Sequence, residues 1–350
     1  MTTGSQCASG SAPARESSCP AQRRGRLRRL CAFTLAAVAS LAAGVAGAQT
    51  AAWPSKPLKI VVTYPTGGTT DAAARQLAER LAPVLGQPVL VENRAGASGS
   101  IGMDAVAKSA PDGHTIAFAA ISPVTLNPHV MKVPYDAMKD IAPLARVMFS
   151  PVYVLATPAF TGKTFDDAIA QARARPGRVN LATSGIATVG HLMLESIRRR
   201  AQVDINHVPY KGGGQVLTDA VGGQFELLTS NPSPTLNAMI AQGKLRVLAV
   251  AAPSRLPALP DVPTLAELGY PGANLTSVFG LFAPAKTPPD VMKRLNAEIN
   301  RIVQSRDMTE RLEKLDNVVS TGTVEQFAAQ VAAEFEANAR IVREAGIRAE

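Results

Sequence analysis

From residue 58 to residue 344 the chain alternates short runs rich in β-branched residues with longer runs whose apolar residues recur every three or four positions. This alternation constrains the fold more than any other feature. Parallel strands need long crossovers, so strand–helix–strand passages of this length read as βαβ units and build parallel sheets with helices on both faces. The spacing predicts strands at 58–63, 88–92, 114–119, 145–149, 152–156, 179–182, 205–208, 225–229, 245–251 and 276–282. Helices are expected at 70–85, 100–109, 164–175, 188–200, 214–222, 235–242, 288–304 and 323–344. In the first helix Ala74, Leu77, Ala78, Leu81 and Leu85 repeat at helical spacing, with Arg75 and Glu79 outside the stripe. Thr69 or Thr70 is expected to cap it, and Asp71 suits its first turn.

Two passages suggest two lobes joined twice. Strand candidates 145–149 and 152–156 are separated by Ser150-Pro151, and a proline-rich stretch, 253–271, precedes the strand at 276–282. The expected α/β organisation is therefore two-lobed with a cleft between, each lobe a mostly parallel sheet flanked by helices. One lobe takes 49–150 plus 277–350 and the other 151–276.

The first 48 residues read as a cleaved secretory signal peptide. Arg23 to Arg29 is a basic block, Leu30 to Ala46 is apolar, and Ala46-Gly47-Ala48 is a small-x-small cleavage site. The apolar run is short and alanine-rich beside the roughly 20 strongly apolar residues of a spanning helix. Cleavage would leave 302 residues, enough for two domains. Cys7, Cys19 and Cys31 all lie in this leader, so the remaining chain has no disulfide, thiolate metal site or cysteine nucleophile. Without the leader's six arginines and one glutamate the formal charge drops from +9 to 30 basic against 26 acidic residues, or +4. Thinly spread charge and few aromatics disfavour nucleic acid. We expect a periplasmic chain with no direct membrane insertion.

Chemistry concentrates at turns between strands and helices. TYPTGGTTD, residues 63–71, lacks both the Lys-Ser/Thr of a phosphate loop and G-x-G-x-x-G spacing, which disfavours a nucleotide. A helix N-terminus with open N–H groups and three threonine hydroxyls suits a carboxylate. The alternative is a plain turn in which glycine supplies a positive φ. VNLATSGIATVGHL, 179–192, repeats the pattern; VPYKGGG and Thr229-Ser230-Asn231-Pro232 are further turns of this kind. Ligands of open α/β sheets sit beyond the carboxyl ends of the strands, where these loops belong. His114, His129, His191 and His207 show no HExxH or His-x-His spacing, which argues against a metal. Ser184-Gly185 is not a nucleophile elbow. His191 reads as a core or capping residue, or as part of the second anion-facing helix. Arg94 is expected to tie its strand end to a neighbouring loop.

Taken in order, TYPTGGTTDAAAR, GQPVLVENRAGASGSIG, APDGHTIAFA, HVPYKGGG, GKLRVLAV, LPDVPTLAELG and FGLFAPAKTPPDVMKRLNAEIN span most of the chain after the leader. In this combination the chain resembles the Bug family, solute-binding proteins of tripartite tricarboxylate transporters. The resemblance implies a type II periplasmic-binding-protein fold that closes on a carboxylate held by main-chain N–H groups, hydroxyls and water rather than by Arg or Lys. Carried onto this chain, the ligand-binding positions are Thr66, Gly67, Gly68, Thr69 and Thr70 in the first lobe, and Ser184, Gly185 and Thr188 in the second. Ala120 and Ser122 are expected in the wall, with Tyr210 and Ser230; Tyr64 either stacks on the ligand or covers the hinge. Thr229-Ser230-Asn231 stands where family members often carry an acid, which favours a plain organic acid over an amino acid.

The expected function is non-enzymatic capture of a small organic acid by hinge closure, by a monomer without cofactor or metal. The acid would pass to membrane transporter subunits, or the receptor would act through a sensor kinase; the sequence does not separate these. A periplasmic hydrolase or isomerase on the same frame lacks a visible nucleophile–base pair.

Overall fold

The computed structural model describes residues 53–347, so the leader lies outside the described residues. In chain order the elements are β1 (Leu58–Val62), α1 (Thr69–Leu85), β2 (Val89–Asn93), α2 (Ser100–Ala107), β3 (Thr115–Ala120), α3 (Ser122–Thr125), α4 (Asn127–Val130), β4 (Ile141–Ser150), β5 (Val152–Ala156), α5 (Phe165–Ala174) and β6 (Asn180–Thr183). They continue with α6 (Val189–Ala201), β7 (Asn206–Pro209), α7 (Gly213–Val221), β8 (Leu227–Ser230), α8 (Pro234–Ala241), β9 (Arg246–Ala251), β10 (Ser277–Pro284), α9 (Pro289–Val303), α10 (Arg306–Glu313), β11 (Val318–Val319) and α11 (Val324–Ala345).

The strands form two mixed sheets. The first has the order β11-β4-β10-β3-β1-β2 and the second β7-β6-β8-β5-β9. β1 is parallel to β2 and β3, as βαβ crossovers require, whereas β10 runs antiparallel to both β3 and β4. In the second sheet β6 is parallel to β7 and β8, and β5 is antiparallel to β8 and β9. The antiparallel pairs arise where the chain passes between sheets. β4 ends at Ser150 opposite Ser277 of β10, and β5 begins at Val152 opposite Ala251 of β9. One residue, Pro151, separates β4 from β5, and proline has no N–H to give to either ladder.

Each sheet is buried on both faces. The α1 stripe read from the sequence is buried against β1 together with Ala73, and Leu295, Ile299 and Ile302 of α9 join it. Met103, Val106, Phe282 and Phe327 fill the opposite face. Fully burying a leucine or isoleucine contributes about 1.5–3 kcal/mol, so these stripes dominate the stability of the framework. Two expectations need correction. α1 is capped by the backbone of Gly68, with no side-chain cap, and Thr69 and Thr70 lie inside its first turn. Helix α10 was not foreseen, because only Met308 and Leu312 of its residues are buried.

Candidate functional site

Between β1 and α1 the chain turns through Gly67, whose φ of +83° suits glycine. Asp71, only 5% exposed, folds back from the first turn of α1. Its carboxylate accepts the Gly67 N–H at 3.0 Å and Asn93 Nδ2 at 2.9 Å, and it pairs with Arg75 at 2.9 Å. Burial alone would raise this carboxyl, but the Arg75, Gly67 and Asn93 bonds together hold it below the usual range. Asn93 also donates to Tyr64 O at 3.1 Å, so it ties β2 to the turn. The residue expected in that role, Arg94, pairs with Glu92 instead. Gly67 therefore spends its amide on the protein's own carboxylate. Among the described residues no acceptor takes the amides of Thr69 and Thr70, which are among the donors that every helix N-terminus leaves open.

The second sheet presents three comparable turns. After β6, Thr183 Oγ1 accepts the Gly185 N–H at 3.2 Å, and Thr188 caps α6 by accepting the His191 N–H at 3.3 Å while donating to Gly185 O at 2.8 Å. Both hydroxyls are thus committed to the loop's own shape. The N-cap of α7 is Gly212, without a side-chain cap, and α8 is capped by Ser233, which accepts from Leu236 N at 3.2 Å.

These turns meet at one cavity between the sheets, about 730 Å³ counting its solvent-open mouth. Of the thirteen positions read from the sequence, Tyr64, Gly68, Thr69, Thr70, Ala120, Ser122, Ser184, Thr188 and Ser230 line it. Four do not. Thr66 and Gly67 are exposed and lie near Gly214 and Thr235 of the second sheet's loops. Gly185 is buried within its loop, where an added Cβ would strike Ser98 Oγ. Tyr210 turns its hydroxyl to Asp219 Oδ2 at 2.7 Å and its ring edge to Phe225. Tyr64 reaches the wall, but its phenol end packs toward Gly99 and burial pushes its hydroxyl pKa strongly up.

The sequence did not single out the apolar wall. Val152, Leu217 and Phe279 come from β5, α7 and β10, and only the fold brings them together. Val189, Gly190 and Gly213 add the first turns of α6 and α7, and glycine runs beside a strand end were the available signal for them. No lining residue carries a charge. Thr229, 2% exposed, has a hydroxyl that packs against Gly190 and finds no partner among the described residues.

Direct bonds also join one sheet's loops to the other's. Thr69 Oγ1 donates to Pro232 O at 2.8 Å in a buried site, and Ser98 Oγ donates to Ile186 O. At the connectors Tyr153 OH donates to Asp316 Oδ2 at 2.7 Å, and Asn231 Nδ2 to Pro151 O at 2.9 Å. Behind the β6–α6 loop, His191 and His207 stack with ring centroids 4.3 Å apart and 11° between planes. Among the described residues no group of three or more His, Cys, Asp or Glu side chains is placed to hold a metal, and no helix is long and apolar enough to cross a membrane.

Comparison with known proteins places this architecture. The sequence profile described as Tripartite tricarboxylate transporter family receptor matches residues 73–347. The chain is similar to Protein BugT of Bordetella pertussis, 37% identical over 309 residues, which are 87% of this chain and 94% of BugT. A protein of R. palustris solved with adipate superposes with a TM-score of 0.80 at 30% identity, over 85% of this chain and 99% of its own. MatC from Rhodopseudomonas palustris, solved with bound malate, superposes at 0.78 and 30%, over 83% and 100%. Two helix-flanked mixed sheets, a cleft walled by strand-to-helix turns, and this likeness along nearly the whole described chain lead to one assignment: the chain belongs to the receptors of the tripartite tricarboxylate transporter family, as a Bug-type periplasmic solute-binding protein.

Proposed function

We propose that this protein is exported to the periplasm, captures a small organic acid by closing two lobes around it, and delivers it to the membrane subunits of a tripartite transporter. The lobes are 49–150 with 277–350 and 151–276, hinged at Pro151 and in the passage between β9 and β10. The carrying observation is the cavity itself, where open main-chain amides of α1 face the turns of the second sheet and no charged side chain lines the wall. The relatives solved with adipate and malate support an acid as the guest.

The energetics favour this design. Burying a lone carboxylate costs several kcal/mol in lost hydration. Each hydrogen bond to a charged group offers about 1.5–3 kcal/mol, and a helix terminus adds about 0.3–2. Amides of Gly68, Thr69 and Thr70 with the Ser184 and Ser122 hydroxyls offset that cost without a guanidinium, provided the turn is rigid beforehand. Asp71 and Asn93 supply that rigidity. The absence of an acid from the wall disfavours an ammonium group, which points to a plain organic acid rather than an amino acid. Thermal shifts against mono-, di- and tricarboxylates test the reading. An acid at a hundred times its Kd should add about 2.7 kcal/mol. A shift with a sugar or an amine and with no acid would refute it.

A further inference from the structure

The stacked histidines behind the β6–α6 loop have no role in the scheme above, yet their ring nitrogens reach that loop. His191, 6% exposed, accepts the Ala187 N–H on Nδ1 at 3.2 Å. An accepting Nδ1 carries no proton, so the ring's proton lies on Nε2, which faces Glu195 Oε1 at 3.7 Å. His207 Nε2 lies 2.8 Å from Thr183 Oγ1, the hydroxyl that binds both main-chain ends of Gly185. The loop these bonds hold is not a relaxed one. Ala187 has a φ of +55°, a left-handed conformation that a side-chain-bearing residue keeps only when its surroundings impose it.

We propose that His191 is the positioning residue of the Ser184–Thr188 loop, and that its stack on His207 makes the loop's binding shape conditional on both rings being neutral. This deepens the acid-binding reading of the cleft and rests on it. A proton arriving from solvent at His191 Nδ1 turns the acceptor into a donor aimed at another donor. The Ala187 amide then loses its partner, Ala187 relaxes from its left-handed conformation, and Ser184 and Thr188 leave the cavity wall. A second proton, on His207, would also meet the first charge across a stack of 4.3 Å. The charged groups that bear on the pair are both on α6. Glu195 is too far from Nε2 for a hydrogen bond and is ion-paired with Arg198, whose own Nε donates to Ile205 O at 2.7 Å. β6 contributes only the uncharged Thr183, and the loop contributes main-chain groups. Burial, then Arg198, hold His191 below the ordinary imidazole range; burial, His191 and Arg198 do the same for His207. The resting pair is therefore neutral at neutral pH, and acid is the perturbation.

The test begins without ligand. Ring-nitrogen NMR at about pH 7.5 should find His191 with Nδ1 unprotonated, and finding the proton on Nδ1 would overturn the proposal. On acidification through about pH 4, the value to which burial lowers His191, hydrogen-exchange protection of the Ala187 amide should fall about tenfold or more as that ring takes up a proton. Protection that stays constant through that titration would also overturn it. Calorimetry with adipate as the probe follows. His191→Asn keeps an acceptor near the Nδ1 position but does not titrate. It should restore the affinity lost in His191→Leu at about pH 7.5, and it should lack the acid-side weakening of about tenfold expected in the unaltered protein. Adipate's own protonation affects both proteins alike, so equal weakening in the two would refute the switch. If adipate binds neither protein at any pH, that failure counts against the acid-binding reading, while the tautomer and exchange measurements still decide the loop.

Discussion

Replacing Asp71 with alanine tests whether the protein's own carboxylate organises the first turn. The side chain is 7% exposed and makes three polar bonds within 3.0 Å: Gly67 N–H, Asn93 Nδ2 and Arg75. Arg75 is 52% exposed, so solvent screens its share to about 0.5 kcal/mol. The other two are hydrogen bonds to an ionised acceptor, nominally about 1.5–3 kcal/mol each. Against them stands the cost of keeping a carboxylate out of water, which the truncation relieves. The balance is a destabilisation of about 3 kcal/mol, because the Gly67 N–H and one of the two Asn93 Nδ2 protons lose a charged acceptor, the other still donating to Tyr64 O. Asp71→Asn retains one acceptor oxygen and should lose about half as much. Urea unfolding measures both, and the alanine change corresponds to roughly 6 °C in midpoint for a protein of this size. Most of the loss should persist in high salt, since the screened Arg75 pair is its minor part. An alanine variant within about 0.5 kcal/mol of the parent would refute the argument, leaving the turn to be held by its glycines alone.

Three further outcomes follow from the same geometry. Gly68 has a φ of −83°, and an added Cβ would meet only Pro65 O at 3.8 Å. Gly68→Val should therefore change stability by less than about 0.5 kcal/mol while crowding the cavity it lines; acid affinity unchanged by calorimetry would remove the turn from the site. Thr69→Val deletes the buried bond to Pro232 O and leaves that carbonyl without a donor, so acid affinity should weaken by about 1–1.5 kcal/mol, or roughly tenfold, through faster release. An unchanged dissociation rate in stopped-flow measurements would show that this bond does not hold the two sides together. For pH, the folded values of His191 and His207 lie below the ordinary range near pH 6.5, so the unfolded chain takes protons that the folded one refuses. Stability should fall as pH drops below about 6.5, by up to about 1.4 kcal/mol per unit for each ring, with a further loss below about pH 4 from Asp71, whose folded value is also lowered. Equal unfolding free energies at about pH 7 and pH 5 would contradict this.

Much of the cavity wall was readable because each wall loop begins at a strand end and finishes at a helix start. Gly68, Thr69, Thr70, Ser184 and Thr188 are consecutive with such boundaries, and short-range periodicity fixes where those fall. The roles within the loops were less readable. Gly67 was expected to face the guest, but its N–H belongs to Asp71, whose inward fold is also favoured by Asn93 on the neighbouring strand, a contact that only the tertiary structure supplies. Tyr210 was expected in the wall. Asp219, nine residues on in α7, draws its hydroxyl to 2.7 Å instead. Val152, Leu217 and Phe279 were missed because apolar residues on a strand or helix look alike whether they face a core or a cavity.

The order of residues along the chain by itself determined two things: which segments become strands and helices, and which turns leave backbone donors open. Side-chain periodicity and glycine placement are local properties, and neighbours in sequence enforce them. Tertiary structure alone decided which open donors share a cavity, which are consumed by the protein itself, and that two histidines sixteen positions apart stack beneath the second loop. Those outcomes depend on strand order and register. Pairing β6 with β7 sets His207 beside Thr183, under the start of α6 that carries His191, and no pattern within any one segment encodes that pairing.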